Sequence, residues 1–171
     1  NETGEEFTVS VNHFKSKGCR GAYGENENQN DGQSCYAYER TQAAKELMAF
    51  LDTNPTGIKD SDYLVLGDLN SASMEDPIQA FVENGWVDLI DREIGNENAA
   101  TYVYRGFGSV LDHMLATPSL ADNVSGVGIW GINSPEPRVI DYNTEYKRQD
   151  LTDESPFRSS DHDPVLIGLN F

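Results

Sequence analysis

The sequence predicts an α/β sandwich of layers folded as one domain, and three observations carry that reading. Phe7, Val9 and Val11 alternate with Thr8 and Ser10, the period-two pattern of a strand with one buried face. Ala43, Ala44, Leu47, Met48 and Leu51 recur at helical spacing. Tyr63-Leu64-Val65-Leu66 is a continuous apolar run of the kind that forms a central strand buried on both faces. Strands separated by helices bury their apolar faces by stacking into layers.

The first strand delivers Asn12 and His13 to its end. A polar loop from Lys15 to about Ser34 separates it from a helix over roughly Tyr38 to Leu51, which Asn54-Pro55-Thr56-Gly57 terminates. Gly67 punctuates the second strand, with Asp68 and Asn70 just beyond it. Asp76-Pro77 starts a second helix whose apolar positions are Ile78, Ala80, Phe81 and Val82, and Gly85 stops it. Further strands are expected at Trp86–Leu89, Thr101–Tyr104, Val110–Ala116 and Val165–Leu169, while the stretch between Asn123 and Ser160 reads as irregular.

The 171 residues suit one ordinary domain, and 37% hydrophobic residues with Tyr 8, Phe 7 and Trp 2 supply a core, which excludes global disorder. No run approaches the roughly 18 apolar residues of a membrane helix, so no membrane partner is expected. With 12 Lys+Arg against 29 Asp+Glu, the net charge of −17 is opposite in sign to the usual footprint of a nucleic-acid binder. Divalent cations reconcile such a chain with a phosphate-bearing substrate by neutralising its carboxylates.

Cys19 and Cys35 flank a polar stretch rich in Gly, Asn and Glu. A disulfide would close that loop and contribute roughly 3 kcal/mol. Two unpaired thiols are the alternative, and no Cys-His cluster suggests zinc. If formed, the bond implies an oxidising, extracytoplasmic compartment.

Four short motifs each follow an apolar run and place acidic, amide or imidazole groups at its end. They are Val11-Asn12-His13-Phe14, Gly67-Asp68-Leu69-Asn70, Leu111-Asp112-His113-Met114 and Ser160-Asp161-His162-Asp163-Pro164. Singly, strand-end Asp and Asn usually serve turns. Asp68 and Asn70, two residues apart in an extended segment, would face the same way and serve one phosphate. Strand alternation turns His113 away from Asp112, so His113 reads as structural. Lys15, Lys17 and Arg20 form the densest positive cluster, and phosphate contact is expected of the two lysines. The oxygen-rich segment Glu25–Asp31 lacks the spacing of an EF-hand and reads as a flexible loop.

Taken in order, these motifs resemble the endonuclease/exonuclease/phosphatase superfamily, which includes pancreatic-type deoxyribonucleases and abasic-site endonucleases. Val11 to Gly18, Gly67 to Asn70, Leu111 to His113 and Ser160 to Pro164 follow the family's order. Trp130 to Asn133, Glu136-Pro137-Arg138 and Asp141-Tyr142-Asn143 bring the resemblance closest to large secreted bacterial nucleases of the ExeM type, with a departure at Gly131, where such relatives often carry His. The resemblance implies a four-layer α/β/β/α sandwich. It also implies that residues 1–171 are the C-terminal half of one domain, whose N-terminal half supplies an Asn and a metal-binding Glu and is the expected partner, as a separate chain or otherwise.

Phosphodiester hydrolysis requires an activated water and neutralisation of charge on the phosphoryl and leaving oxygens. By resemblance, His162 is the general base, Asp112 fixes its tautomer and supports the imidazolium, and Asp161 binds the metal. Asp68 orients water or metal and Asn70 donates a hydrogen bond to the phosphate. His13 donates to a phosphoryl oxygen or acts near the leaving group, and Lys15 and Lys17 contact phosphate. The implied ion is Mg²⁺ or Mn²⁺, with Ca²⁺ as a further stabilising ion. The implied activity is that of an extracellular bacterial nuclease degrading DNA, with RNA as a second substrate, at little sequence preference. The competing readings are a phosphatase or phosphodiesterase of the same superfamily acting on lipid or inositol phosphates, and a non-catalytic binding subunit that retains the fold.

Overall fold

The computed structural model describes residues 4–143, 145, 148–151 and 155–171. In chain order the elements are β1 (Thr8–His13), α1 (Ala37–Leu51), β2 (Tyr63–Asp68), α2 (Asp76–Glu83), β3 (Val87–Asp88), α3 (Leu89–Glu93), β4 (Tyr102–Tyr104), β5 (Phe107–Ser109), β6 (Asp112–Ala116), α4 (Pro118–Asp122), β7 (Val124–Ile129) and β8 (Val165–Leu169).

Four strands form the main sheet in the order β1-β2-β6-β3, with β1 parallel to β2 and β6 antiparallel to both its neighbours. Helix α1 lays Ala44, Met48 and Leu51, and α2 lays Ile78, Ala80 and Phe81, over Val65 and Leu115 on one face of this sheet. On the opposite face Leu64, Met114 and Ala116 meet α3, α4 and the inner side chains of the β7–β8 ribbon, Val127, Ile129, Val165 and Ile167 among them. These are three layers of an α/β sandwich. Leu166 on the outer side of the ribbon is 54% exposed, and among the described residues no α-helix covers that side.

Several expectations are corrected. In β1 the alternation is present, but Val9 and Val11 are 46% and 76% exposed while Thr8 is buried. Register pairs Val9 with Leu64 and Val11 with Leu66, so these valines lie on the inter-sheet face, at an edge strand the ribbon does not cover. The stretch after Asn123 is not wholly irregular, because Val124–Ile129 forms β7. Gly126 and Gly128 dilute its apolar pattern, and a register irregularity between Val124 and Gly126 breaks the period of two. The strand expected at Trp86–Leu89 is cut to two residues, because Asp88 caps α3 by accepting from the amides of Ile90 and Asp91. Cys19 and Cys35 form a disulfide across the long loop.

Candidate active site

Register across the main sheet assembles the first part of the site. His13 pairs with Asp68, and Asp68 pairs with Asp112, so the ends of β1, β2 and β6 set three polar side chains in one row. The row continues the inter-sheet face of Val11, Leu66 and Met114, because alternate residues of a strand share a face.

His162 reaches this row from the far end of the sequence. An isolated bridge joins it to Tyr102, and the next amide, of Asp163, donates to the carbonyl of Thr101 at 2.8 Å. The buried Thr101 hydroxyl accepts from the amides of Leu111 at 3.0 Å and Asp112 at 3.1 Å, so one residue fixes both partners of the pair that follows. Asp163 holds the loop from behind, accepting from the amides of Asn133 at 2.7 Å and Ser134 at 3.0 Å. Asn133 in turn donates to the His162 carbonyl at 2.8 Å.

The Nδ1 of His162 lies 2.7 Å from Oδ2 of Asp112. An ionised carboxylate only accepts, so Nδ1 carries the hydrogen and Nε2 keeps its lone pair. That Nε2 lies 3.9 Å from Oδ2 of Asp68. Burial works against a charged imidazole here, but the hydrogen bond and charge of Asp112, with Asp68 and Asp161, outweigh it and raise the His162 pKa. The Tyr102 ring lies against the imidazole with centroids 4.7 Å apart.

Burial, reinforced by the charge of Asp112, lifts the Asp68 pKa against the opposing pull of the Asn70 amide and the two histidines. Asn70 is not part of an extended segment as expected: its φ of 50° is left-handed. The two side chains meet through a turn in which the Asn70 amide donates to Oδ1 of Asp68 at 2.8 Å and its Nδ2 donates to Oδ2 at 3.1 Å. The Asn70 Nδ2 also donates to the Phe14 carbonyl at 3.1 Å, which ties the end of β1 to the loop after β2.

His13 is largely exposed, with Nε2 3.3 Å from Oδ2 of Asp68. His113 faces the other way and is fully buried, its Nδ1 3.3 Å from Asp88 and its Nε2 2.8 Å from the Ser71 carbonyl. Lys17 lines the same cleft as His13, Asp68, Asn70, Asp112, Asp161 and His162, and its ammonium pairs with Glu75. Lys15 is not brought to the cleft, because its ammonium lies over the Tyr36 ring, 4.7 Å from the centroid. The cleft measures about 1120 Å³.

Among the described residues, Asp68, Asp112 and His162 offer ligand atoms that all lie within 4.8 Å of one another. Asp161 lines the cleft but stands outside that trio. Oxygen-dominated donors fit a hard divalent ion. Oδ2 of Asp112 already accepts from His162, which leaves its other oxygen and the Asp68 carboxylate as oxygen donors within the trio.

Four contributors are not singled out by the sequence. Thr101 and Tyr102 read there only as strand residues. Glu75 pairs with Lys17 and lies 3.8 Å from Arg40. Arg40 is fully buried and donates to Ser71 Oγ and to the carbonyls of Lys15, Gln33 and Cys35, binding the disulfide loop to the site. Its signal was present: it occupies the same helical stripe as Ala44, Met48 and Leu51, where a charge has no reason to be unless it is bonded.

The fold is similar to that of an AP endonuclease from Archaeoglobus fulgidus, at a TM-score of 0.59 and 19% identity over 96% of this chain and 62% of that one. It is also similar to a mannosyl-6-phosphatase from Bacteroides thetaiotaomicron, at 0.60 and 18% identity over 99% and 53%, and to a 3'-5' exonuclease from Neisseria meningitidis, at 0.52 and 21% over 87% and 59%. The chain thus spans between about half and two thirds of the length of these solved structures. No curated protein matches the sequence. The endonuclease/exonuclease/phosphatase family profile matches residues 6–162, nearly the whole chain and all four strand-end motifs up to His162. The chain belongs to the Endonuclease/Exonuclease/phosphatase family, whose members are hydrolases, typically dependent on a divalent metal, that include nucleases and phosphatases.

Proposed function

We propose that this chain carries the water-activating groups of a secreted, metal-dependent nuclease that hydrolyses DNA phosphodiesters with little sequence preference. The observation that carries the reading is the His162–Asp112 pair, whose unshared Nε2 belongs to a cleft also lined by Asp68, Asn70, His13 and Asp161. His162 takes the proton of the attacking water and Asp112 supports the imidazolium that results. Asn70 fixes the orientation of Asp68, and exposed His13 donates to a phosphoryl or leaving oxygen. A divalent ion, Mg²⁺ or Mn²⁺, held by Asp68 and Asp161, supplies charge neutralisation at the phosphoryl oxygens.

A similar structure, a 3' phosphatase from Neisseria, is bound to a product DNA hairpin, which supports a nucleic-acid substrate. Similarity to a mannosyl-6-phosphatase favours a second reading in which the same residues hydrolyse a phosphate ester of a sugar, an inositol or a lipid. The disulfide supports secretion.

The test is turnover by the full-length protein on plasmid DNA, on phospholipids and on a sugar phosphate, with and without chelator. DNA cleavage that chelator stops is expected, and intact plasmid at every metal concentration defeats the nuclease reading. His162→Ala should abolish turnover without altering the unfolding midpoint, which also excludes a purely binding role.

A further inference from the structure

A second cleft, of about 450 Å³, adjoins the catalytic one, and Tyr102, Tyr104 and Asp161 line both. Its inner wall is the β4–β5 hairpin. Arg105 and Gly106 form the two-residue turn with φ of 51° and 85°, the double left-handed geometry that matches hairpin twist. The turn presents Arg105 with its guanidinium 5.2 Å from the Tyr104 ring centroid. The outer wall carries Arg138 and Tyr142, and Tyr104 and Tyr142 are 55% and 56% exposed.

Charge singles this cleft out. In a chain of net charge −17, arginines are expected to find carboxylates, and Arg40, Arg92, Arg148 and Arg158 do. Arg20, Arg105 and Arg138 make no ion pair within 4.0 Å among the described residues, and the latter two line the same cleft, together with Arg158, Asp141 and Asp161. Three arginines against two carboxylates leave this cleft a net positive charge, and two guanidinium groups without ion pairs beside exposed tyrosine rings are the chemistry that receives a base and its phosphate. A neutral sugar has no use for two such charges.

We propose that this cleft is a nucleotide subsite, in which the base next to the scissile phosphate lies against Tyr104 and Tyr142 and its own phosphate meets Arg105 and Arg138. It rests on the nuclease reading above and deepens it: the substrate is taken as an unstacked single strand or a frayed end, because a base within a duplex cannot enter a cleft of this size. The volume suits one nucleoside, within the range of roughly 300–1000 Å³ common for small-ligand sites.

The test uses the full-length protein in two arms. In a His162→Ala background with Mg²⁺, fluorescence anisotropy measures binding of a labelled ten-nucleotide single-stranded DNA. With His162 intact, hydrolysis of bis(4-nitrophenyl) phosphate, which has no neighbouring nucleotide, reports the catalytic groups alone. The double variant Arg105→Ala/Arg138→Ala should raise Kd about tenfold and flatten the salt dependence by about 0.7 in log–log slope, the loss of one neutralised phosphate on a single strand. Tyr142→Ala should raise Kd at least about fivefold, the lower end of a stacking contribution. Both should leave the small diester's turnover within twofold. Unchanged Kd, or an equal fall in small-diester turnover, overturns the subsite. Arginine-dependent binding by a protein that hydrolyses no diester upholds the subsite and overturns the nuclease reading instead.

Discussion

A Cβ added to Gly67 would stand 2.1 Å from the carbonyl oxygen of Asn12. The two residues are register partners in the parallel β1–β2 pair, immediately before His13 and Asp68. Gly67 also has φ of 123°, outside the range L side chains adopt comfortably. Gly67→Ala therefore must push two backbones apart at the row that carries the site. We expect a loss of about 2–4 kcal/mol, from overpacking plus backbone strain. Urea unfolding measures it, and a variant within 0.5 kcal/mol (roughly the size of ordinary surface effects) would mean the strands separate freely there.

With His162 as the proposed general base, its titration should set the acid limb of the pH profile. Its pKa is raised, and a base acts only when neutral, so kcat/KM falls as pH drops through a value above 6.5, the ordinary one. Asp112→Asn removes both the charge that stabilises the imidazolium and the acceptor that fixes the tautomer. The inflection should move to lower pH, and the plateau should fall by roughly 10²–10⁴, the usual scale of general base catalysis. A pH–rate profile of the two proteins checks both, and an unmoved inflection would assign that limb to another group.

Asp88 is a stability residue whose effect depends on acid. It caps α3 and meets His113 in the core. Burial pushes its carboxyl up, but the hydrogen bond and charge of His113 and two backbone amides outweigh burial and hold it below 3.8. A depressed carboxyl stabilises the fold above its unfolded pKa, and the contribution disappears as pH falls through the lower folded value. Asp88→Ala should cost about 2–4 kcal/mol near neutrality, from a lost cap and a buried His113 Nδ1 left without its partner. The difference from wild type should shrink below pH 4, roughly the ordinary carboxylate value. Chemical denaturation at pH 7 and pH 3.5, roughly either side of that value, reads the sign directly.

The legible parts of the fold are those whose side chains alone declare their surroundings. The strand expected at Val165–Leu169 is β8 itself, and α1 begins one residue before the expected Tyr38. β7 was hidden because two glycines and a bulge remove its alternation, and α3 because its start depends on the Asp88 cap rather than on an apolar stripe. The polar strand-end groups could be read in the sequence because motif order brings them together. Thr101 and Tyr102 could not: the threonine acts through a hydroxyl that accepts from two backbone amides and the tyrosine through a ring contact, and neither leaves a spacing signal. The open face of β1 was misjudged because alternation reports that a face is apolar, not what covers it.

The disulfide loop supplies the last prediction. Ser16, Lys17, Gly18, Cys19, Gly32 and Ser34 line the catalytic cleft, and the loop is held from below by Arg40 and across its neck by Cys19–Cys35. The cross-link spans a sequence separation of 16. By loop-closure entropy its removal costs about 3 kcal/mol of global stability. The effect on function should differ in kind. Arg40 and its carbonyl acceptors keep the base of the loop in place, so the His162–Asp112 pair is undisturbed and kcat should hold. Lys17 and its neighbours lose their tether, so KM should rise severalfold. A Cys19→Ser/Cys35→Ser protein, assayed well below its lowered Tm, separates the two, and a fall in kcat at constant KM would show that the loop positions the reacting groups rather than the substrate.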